Sequence, residues 1–140
     1  MRAIPCLLWV AIVASACGRS GGSPAPLREM STTYDFRIAP SQAPPRAREP
    51  IEYAITVLDA KTRQPIESGE GQLFANDSTG GRTWDGMAYG PEVGTYHAKL
   101  NFVVSGLWAV AIRFRCDSLH PLERIDWYQD VLAGRDTTTP

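Results

Sequence analysis

Few side chains in this 140-residue chain could do chemistry. Past the first 17 residues, those able to hold a soft metal ion are Met30, Met87, His97, Cys116 and His120, and of these only Cys116 and His120 stand close in sequence. A copper centre needs several thioether, thiolate or imidazole groups converging on one point. The alternation around Cys116 sends it inward, the alternation around His97 sends that ring outward, and Met87 falls in a third segment. Met87, His97, Cys116 and His120 are therefore the candidate ligands, but the reading is that they do not converge and that no cofactor is held. A lone inward Cys is expected to be packing. The chain has no H-E-x-x-H and no G-x-x-x-x-G-K, and the "STGG" of residues 78–81 lacks the Lys of a phosphate loop, so it reads as a turn. The expectation is a protein that is not an enzyme. Trp84, Tyr89 and Trp127 lie near loops, where aromatics either anchor a partner or a carbohydrate or cap the core.

The elements that would carry these residues read as strands. Ile51, Tyr53, Ile55 and Val57 share one parity, with Glu52 and Thr56 on the other. "TYDFRI" (33–38), "QLFA" (72–75) and "RTWDGMAY" (82–89, broken at Gly86) are shorter candidates. Tyr96, Ala98, Leu100 and Phe102 alternate; after Ser105-Gly106, so do Trp108, Val110, Ile112, Phe114 and Cys116. That pattern predicts an antiparallel hairpin with one buried face. "NDSTGG" (76–81) is a loop by composition. The proline-rich stretch 39–50 lacks the donors of a central strand and should be loop or edge. Residues 121–133 admit two readings: Leu122, Ile125, Gln129 and Leu132 are helically spaced, whereas Ile125, Trp127 and Val131 suit a last strand, which is the reading adopted. Short strands with regular turns predict an all-β chain, a single antiparallel immunoglobulin-like β-sandwich over residues 33–133.

The chain opens MRAIPCLLWVAIVASACGRS. One cation, Arg2, precedes an apolar run too short to span a bilayer, followed by the small residues Ala14-Ser15-Ala16. This reads as a signal peptide over residues 1–16. With Cys17 next, it resembles the lipobox of bacterial lipoproteins, whose cleaved chains begin with a lipid-modified Cys. The resemblance implies acyl chains on Cys17 and attachment to a membrane in the cell envelope, with the domain facing the periplasm or exterior. Residues 17–32, rich in Gly, Ser and Pro, would be a flexible tether, and 134–140 a disordered tail.

Two further stretches carry resemblances. Glu92-Val93-Gly94-Thr95-Tyr96-His97-Ala98 resembles the immunoglobulin-type tyrosine corner, in which the Tyr hydroxyl folds back onto upstream backbone; Ala98 stands where that motif has its Cys, so no intersheet disulfide is implied. "VLDAKTRQPI" together with "GTYHAKLNFVVSGLWAVAI" is similar to the YtkA-like family, which includes FixH-type proteins. The similarity covers roughly residues 50–116 and implies a sandwich outside the cytoplasm. Some members of that family and its neighbours are linked to copper handling or oxidase assembly, and the copper-linked ones often carry Met and His clusters before the G-x-Y strand. Here that segment, "TWDGMAYGPEVG", offers Met87 alone.

Charge excludes one class of partner. Basic and acidic residues number 14 and 15, and loss of Arg2 with the signal peptide leaves 13 against 15, about −2. No run of Lys or Arg exists to neutralise phosphates, so nucleic acid is not expected. The expected function is that of a cell-envelope lipoprotein serving as a non-catalytic binding or accessory module, with a possible envelope protein as partner. The alternative is a periplasmic copper-handling or oxidase-assembly accessory protein.

Overall fold

Alternation in 51–59 becomes a strand with its apolar parity buried. In the computed structural model, which describes residues 24–135, β3 (Ile51–Asp59) has Ile51, Tyr53, Ile55 and Val57 at the centre of the core. The expected signal peptide, Cys17, the first part of the tether and most of the tail lie outside the described residues. Within them the chain is all-β. Its strands are β1 (Leu27–Met30), β2 (Tyr34–Pro40), β3, β4 (Glu70–Asp77), β5 (Arg82–Gly86), β6 (Ala88–Tyr89), β7 (Thr95–Leu100), β8 (Gly106–Arg115) and β9 (Glu123–Val131). They form two antiparallel sheets, β1-β2-β3-β7-β6 and β5-β4-β8-β9, packed as one immunoglobulin-like sandwich.

The inner parities of both sheets meet in one core. Phe114 of β8 is its hub: Tyr34, Phe36 and Tyr96 from the opposite sheet approach it edge-on, at centroid distances of 5.1, 6.0 and 5.2 Å. Edge-to-face geometry places positive ring edges on negative faces, adding to area burial. Gly71 is required beside this hub, because a Cβ there would sit 2.8 Å from the Phe114 ring and 2.7 Å from Met87 Sδ.

The predicted hairpin at Ser105-Gly106 does not form. β7 pairs with β3 and β6, whereas β8 pairs with β4 and β9, so the intervening segment carries the chain from one sheet to the other. The physical reason is that alternation specifies a buried face but not a partner: two strands in opposed sheets bury one face each as well as a hairpin does. Phe102 and Trp108 close this corner edge-to-face at 5.1 Å, and Trp108 Nε1 donates to the Val104 carbonyl at 3.0 Å.

Two boundaries also move. Leu27–Met30, expected in the tether, is an edge strand on β2; its tie is electrostatic, since Arg28 reaches the buried Asp35. Arg135, expected in the tail, is held by Glu49 at 2.8 Å. The C-terminal segment is the strand β9.

Chain crossing between sheets also explains β5 and β6. At Gly86-Met87 the chain leaves the four-stranded sheet and joins the other, where β6 covers only two residues of β7. The uncovered β7 end is completed by side chains. Asp85 Oδ2 accepts from the Lys99 amide at 2.8 Å, and Thr83 Oγ1 from the Asn101 amide at 3.1 Å. Backbone donors that lack a strand partner are thereby satisfied.

The turn between β3 and β4 and the start of β7 form a single joint. Asp59 Oδ1 accepts from the amides of Lys61 and Thr62, both at 2.8 Å, and sets the turn. The turn delivers Pro65 and Ile66 to Gly94 and Tyr96: Val57 N donates to the Gly94 carbonyl at 2.8 Å, and Tyr96 Oη donates to the Ile66 carbonyl at 2.8 Å. The Tyr96 hydroxyl thus bonds backbone thirty residues upstream, in a different loop. Burial pushes its phenol up to about 12, so it stays a donor at neutral pH. Tyr53 Oη is the converse case, buried without a hydrogen-bond partner among the described residues. The same Tyr→Phe change should therefore act oppositely at the two sites. Tyr96→Phe is expected to cost about 0.5–1.5 kcal/mol, and more if the Ile66 carbonyl is left stranded. Tyr53→Phe is expected to be neutral or stabilising, because it removes an unpaired buried hydroxyl. Urea denaturation at pH 7 measures both; equal losses would refute the contrast.

Candidate functional site

Residues directly opposite in antiparallel strands share a face. On the outside of β5-β4-β8 this stacks three cross-strand rows: Arg82–Asn76–Ala109, Trp84–Phe74–Ala111 and Gly86–Gln72–Arg113. β9 extends them with Tyr128, Asp126 and Arg124. Within β5-β4-β8 the middle row is apolar, and each outer row carries one amide and one guanidinium. Trp84 is 68% exposed, an unusual position for the largest side chain on a sheet. A groove of about 440 Å³ runs between Trp84 and Arg113, floored by Phe74 and bounded by Gln72, Asn76 and Arg82. That volume is within the ordinary range of small-molecule sites.

The cations of this face divide into two kinds. Arg124 is neutralised by Asp126, and Arg115 by Glu70. Arg82 and Arg113, which line the groove, make no ion pair with any described residue. Arg113 is instead laid over the Phe74 ring at 5.0 Å, with Arg124 at 5.2 Å from the same ring. Stacking holds the guanidinium without using up its hydrogen-bond donors. Chemically, the face offers a flat apolar platform, two amides and two cations without a described carboxylate partner, one of them stacked on Phe74.

The four candidate metal ligands are distributed over three places. Met87 is buried in the core beside Gly71. His97 lies on the outer face of β7, its Nδ1 3.1 Å from Glu52 and its Nε2 3.1 Å from Glu92. Cys116 and His120 fall in the β8–β9 connection, where their donor atoms and that of Asp117 lie within 4.8 Å of one another. Asp117 Oδ1 there already accepts the amides of Leu119 and His120, at 2.8 and 3.1 Å, and stands 2.7 Å from His120 Nδ1, which holds its carboxyl below the usual range. Cys116 is half-buried against the core, its amide donating to Tyr34 Oη at 2.9 Å. The structure thus joins Cys116 to His120 and leaves Met87 and His97 apart from them.

Of the three aromatics singled out in the sequence, Trp84 alone lines the groove. Tyr89 packs edge-on against Tyr96 at 5.1 Å and its hydroxyl accepts from Gly94 N; Trp127 packs against the core. Phe74, Arg82 and Arg113 were not legible as site residues. The available signal was outward parity: Phe74 alternates with buried Leu73 and Ala75, and an aromatic on that parity has nothing internal to pack on.

The chain is, by fold, a β-sandwich protein that carries a cationic, aromatic sheet face among its described residues. No protein-family model matches the sequence, and no curated protein sequence does. The fold is similar to that in the crystal structure of a DUF4426 family protein from Pseudomonas aeruginosa PAO1, with a TM-score of 0.61 over 79% of this chain and 98% of that one. Identity is 10%, so the likeness is one of fold alone.

Proposed function

We propose that the protein is a cell-envelope lipoprotein, anchored to a membrane through acylated Cys17, whose sandwich is a non-catalytic module that binds a ligand or an envelope partner on the β5-β4-β8 face. The observation that carries the module reading is the groove itself: exposed Trp84 beside two cations, Arg82 and Arg113, that no described carboxylate neutralises. Supporting the envelope reading is the Ala14-Ser15-Ala16-Cys17 run behind one cation and a short apolar stretch. Kinship with YtkA-like modules belongs to the same proposal. It draws support from the way its two resembling stretches, 57–66 and 94–112, meet in one joint through Val57, Ile66, Gly94 and Tyr96. Copper handling is the weaker reading, because only Cys116 and His120 of its four ligands come together.

The anchor is tested by Cys17→Ser. Wild-type protein should incorporate labelled palmitate and sediment with membranes; the variant should lose the label and appear in the soluble fraction. Equal membrane partitioning of the two would sink the anchor.

A further inference from the structure

The groove constrains its occupant more closely than the word ligand does. It lies on a sheet face, where the backbone amides and carbonyls of β4 and β8 are already spent on the ladder; the free edge of β5 lies at the side of the groove and not in its floor. An extended peptide recognised by strand addition needs free backbone at an edge, and this groove offers side chains only. Those side chains are an indole, two amides and two guanidiniums. A flat indole face matches the C–H face of a sugar ring, amides match vicinal hydroxyls, and a guanidinium matches a carboxylate bidentately. The two amide–guanidinium rows, Gln72–Arg113 and Asn76–Arg82, are four residues apart along β4, which is about 13 Å at the rise of a strand. The aromatic row lies midway. A ligand filling the groove therefore meets polar, cationic ends and an apolar centre, which suits a short run of sugar rings with acidic groups spaced along it.

Resting on the binding-module reading above, we infer that the β5-β4-β8 groove binds an acidic saccharide, stacking one ring on Trp84 and holding carboxylates with Arg82 and Arg113. A nucleic acid strand also uses aromatics and cations on a sheet face, but it needs a continuous cationic track. Here Asp126 closes the face beside Arg124, leaving two uncompensated cations.

The test is isothermal titration of the full-length protein in detergent with three probes: hexamers of galacturonic acid and of mannuronic acid, and a hyaluronan hexasaccharide. A neutral cello-oligosaccharide, a hexaglutamate peptide and a thymidine hexanucleotide are the comparisons. At least one uronate should bind saturably, more tightly than every comparison, with affinity falling as salt is raised. Trp84→Ala should weaken that binding about tenfold or more, and Arg113→Gln about three- to tenfold. Trp84→Tyr should restore most of it, because the platform returns. Trp84 is largely exposed, so the alanine variant should unfold at the wild-type midpoint, which separates a binding loss from a folding loss. Absence of saturable binding by all three uronates overturns the saccharide inference, as does equal binding of the neutral sugar or indifference to Trp84→Ala. Tighter binding of the peptide or the oligonucleotide to this face also overturns it, while leaving the binding module standing. None of these outcomes bears on the Cys17 anchor, which has its own readout.

Discussion

Gly94→Ala is expected to destabilise the protein by about 2–4 kcal/mol, combining left-handed backbone strain with a steric clash. Gly94 has φ +69°, in the region where a Cβ crowds its own backbone. The new methyl would lie 2.6 Å from Pro65 Cβ, well inside contact distance. Relief by shifting is blocked on both sides, since the Gly94 carbonyl accepts from Val57 N and the Gly94 amide donates to Tyr89 Oη. The two contributions separate in a double-mutant cycle. Pro65→Gly in the Gly94→Ala background should recover the clash and leave the strain, so the pair should couple by on the order of 1–2 kcal/mol. A Gly94→Ala midpoint in urea within error of wild type would show that the joint is not rigid.

Asp35→Ala should come next, at about 2–3 kcal/mol near pH 7. Removing one member of a buried ion pair costs about 3–5 kcal/mol when both partners are buried. Here the Asp35 side chain is fully buried but Arg28 and Arg63 remain 55% and 39% exposed, so solvent recovers part of the loss. Arg28 grips both carboxylate oxygens from β1, and Arg63 reaches the same carboxylate from the β3–β4 turn, where its own φ is +64°. One carboxylate therefore holds an edge strand and a turn. Hydrogen bonding by Arg28 is the main cause that lowers the Asp35 pKa from its ordinary 3.8; burial opposes it and Arg63 adds to it. The sign follows from the folded state binding the proton less readily than the unfolded chain. The stabilisation is fully present above the ordinary carboxyl value and is lost as pH falls through the lower folded one. The gap between wild type and Asp35→Ala should thus be constant from pH 7 to about 5 and shrink below the ordinary carboxyl range. A gap that widens on acidification would contradict the pairing.

What was legible in the sequence was the identity of faces; what was not was the identity of neighbours. Ile51, Tyr53, Ile55 and Val57 advertise an inner face, and they are the centre of the core. The parity of Tyr96–Leu100 and of Trp108–Phe114 was equally clear, yet their assignment to one hairpin failed, because period-two alternation carries no information about which sheet a strand joins. β1 was invisible because LREM has no apolar alternation; it pairs along an edge and is fixed by a single Arg. The proline-rich 39–50 stretch read as loop or edge because proline cannot donate, and its first two residues, Ala39 and Pro40, end β2. The groove was half legible. Trp84 stood out by type, whereas Phe74, Arg82 and Arg113 became a site only once register set them side by side. The corner residues Gly94 and Tyr96 were found by motif, but their partners, Pro65 and Ile66, lie some thirty residues away in a stretch noticed for a different likeness.

The way Thr83 and Asp85 finish β7 has a consequence for behaviour in concentrated solution. A strand end with bare amides is a template on which another molecule can polymerise by edge-to-edge growth. Here the two amides beyond β6 are occupied by a hydroxyl and a carboxylate, and the occupying groups sit where an incoming strand would have to lie. A carboxylate at that place also repels the carbonyls that such a strand would bring. That end of β7 is thus guarded against edge-to-edge growth by two side chains rather than by a longer covering strand, and by residues outside the core cluster.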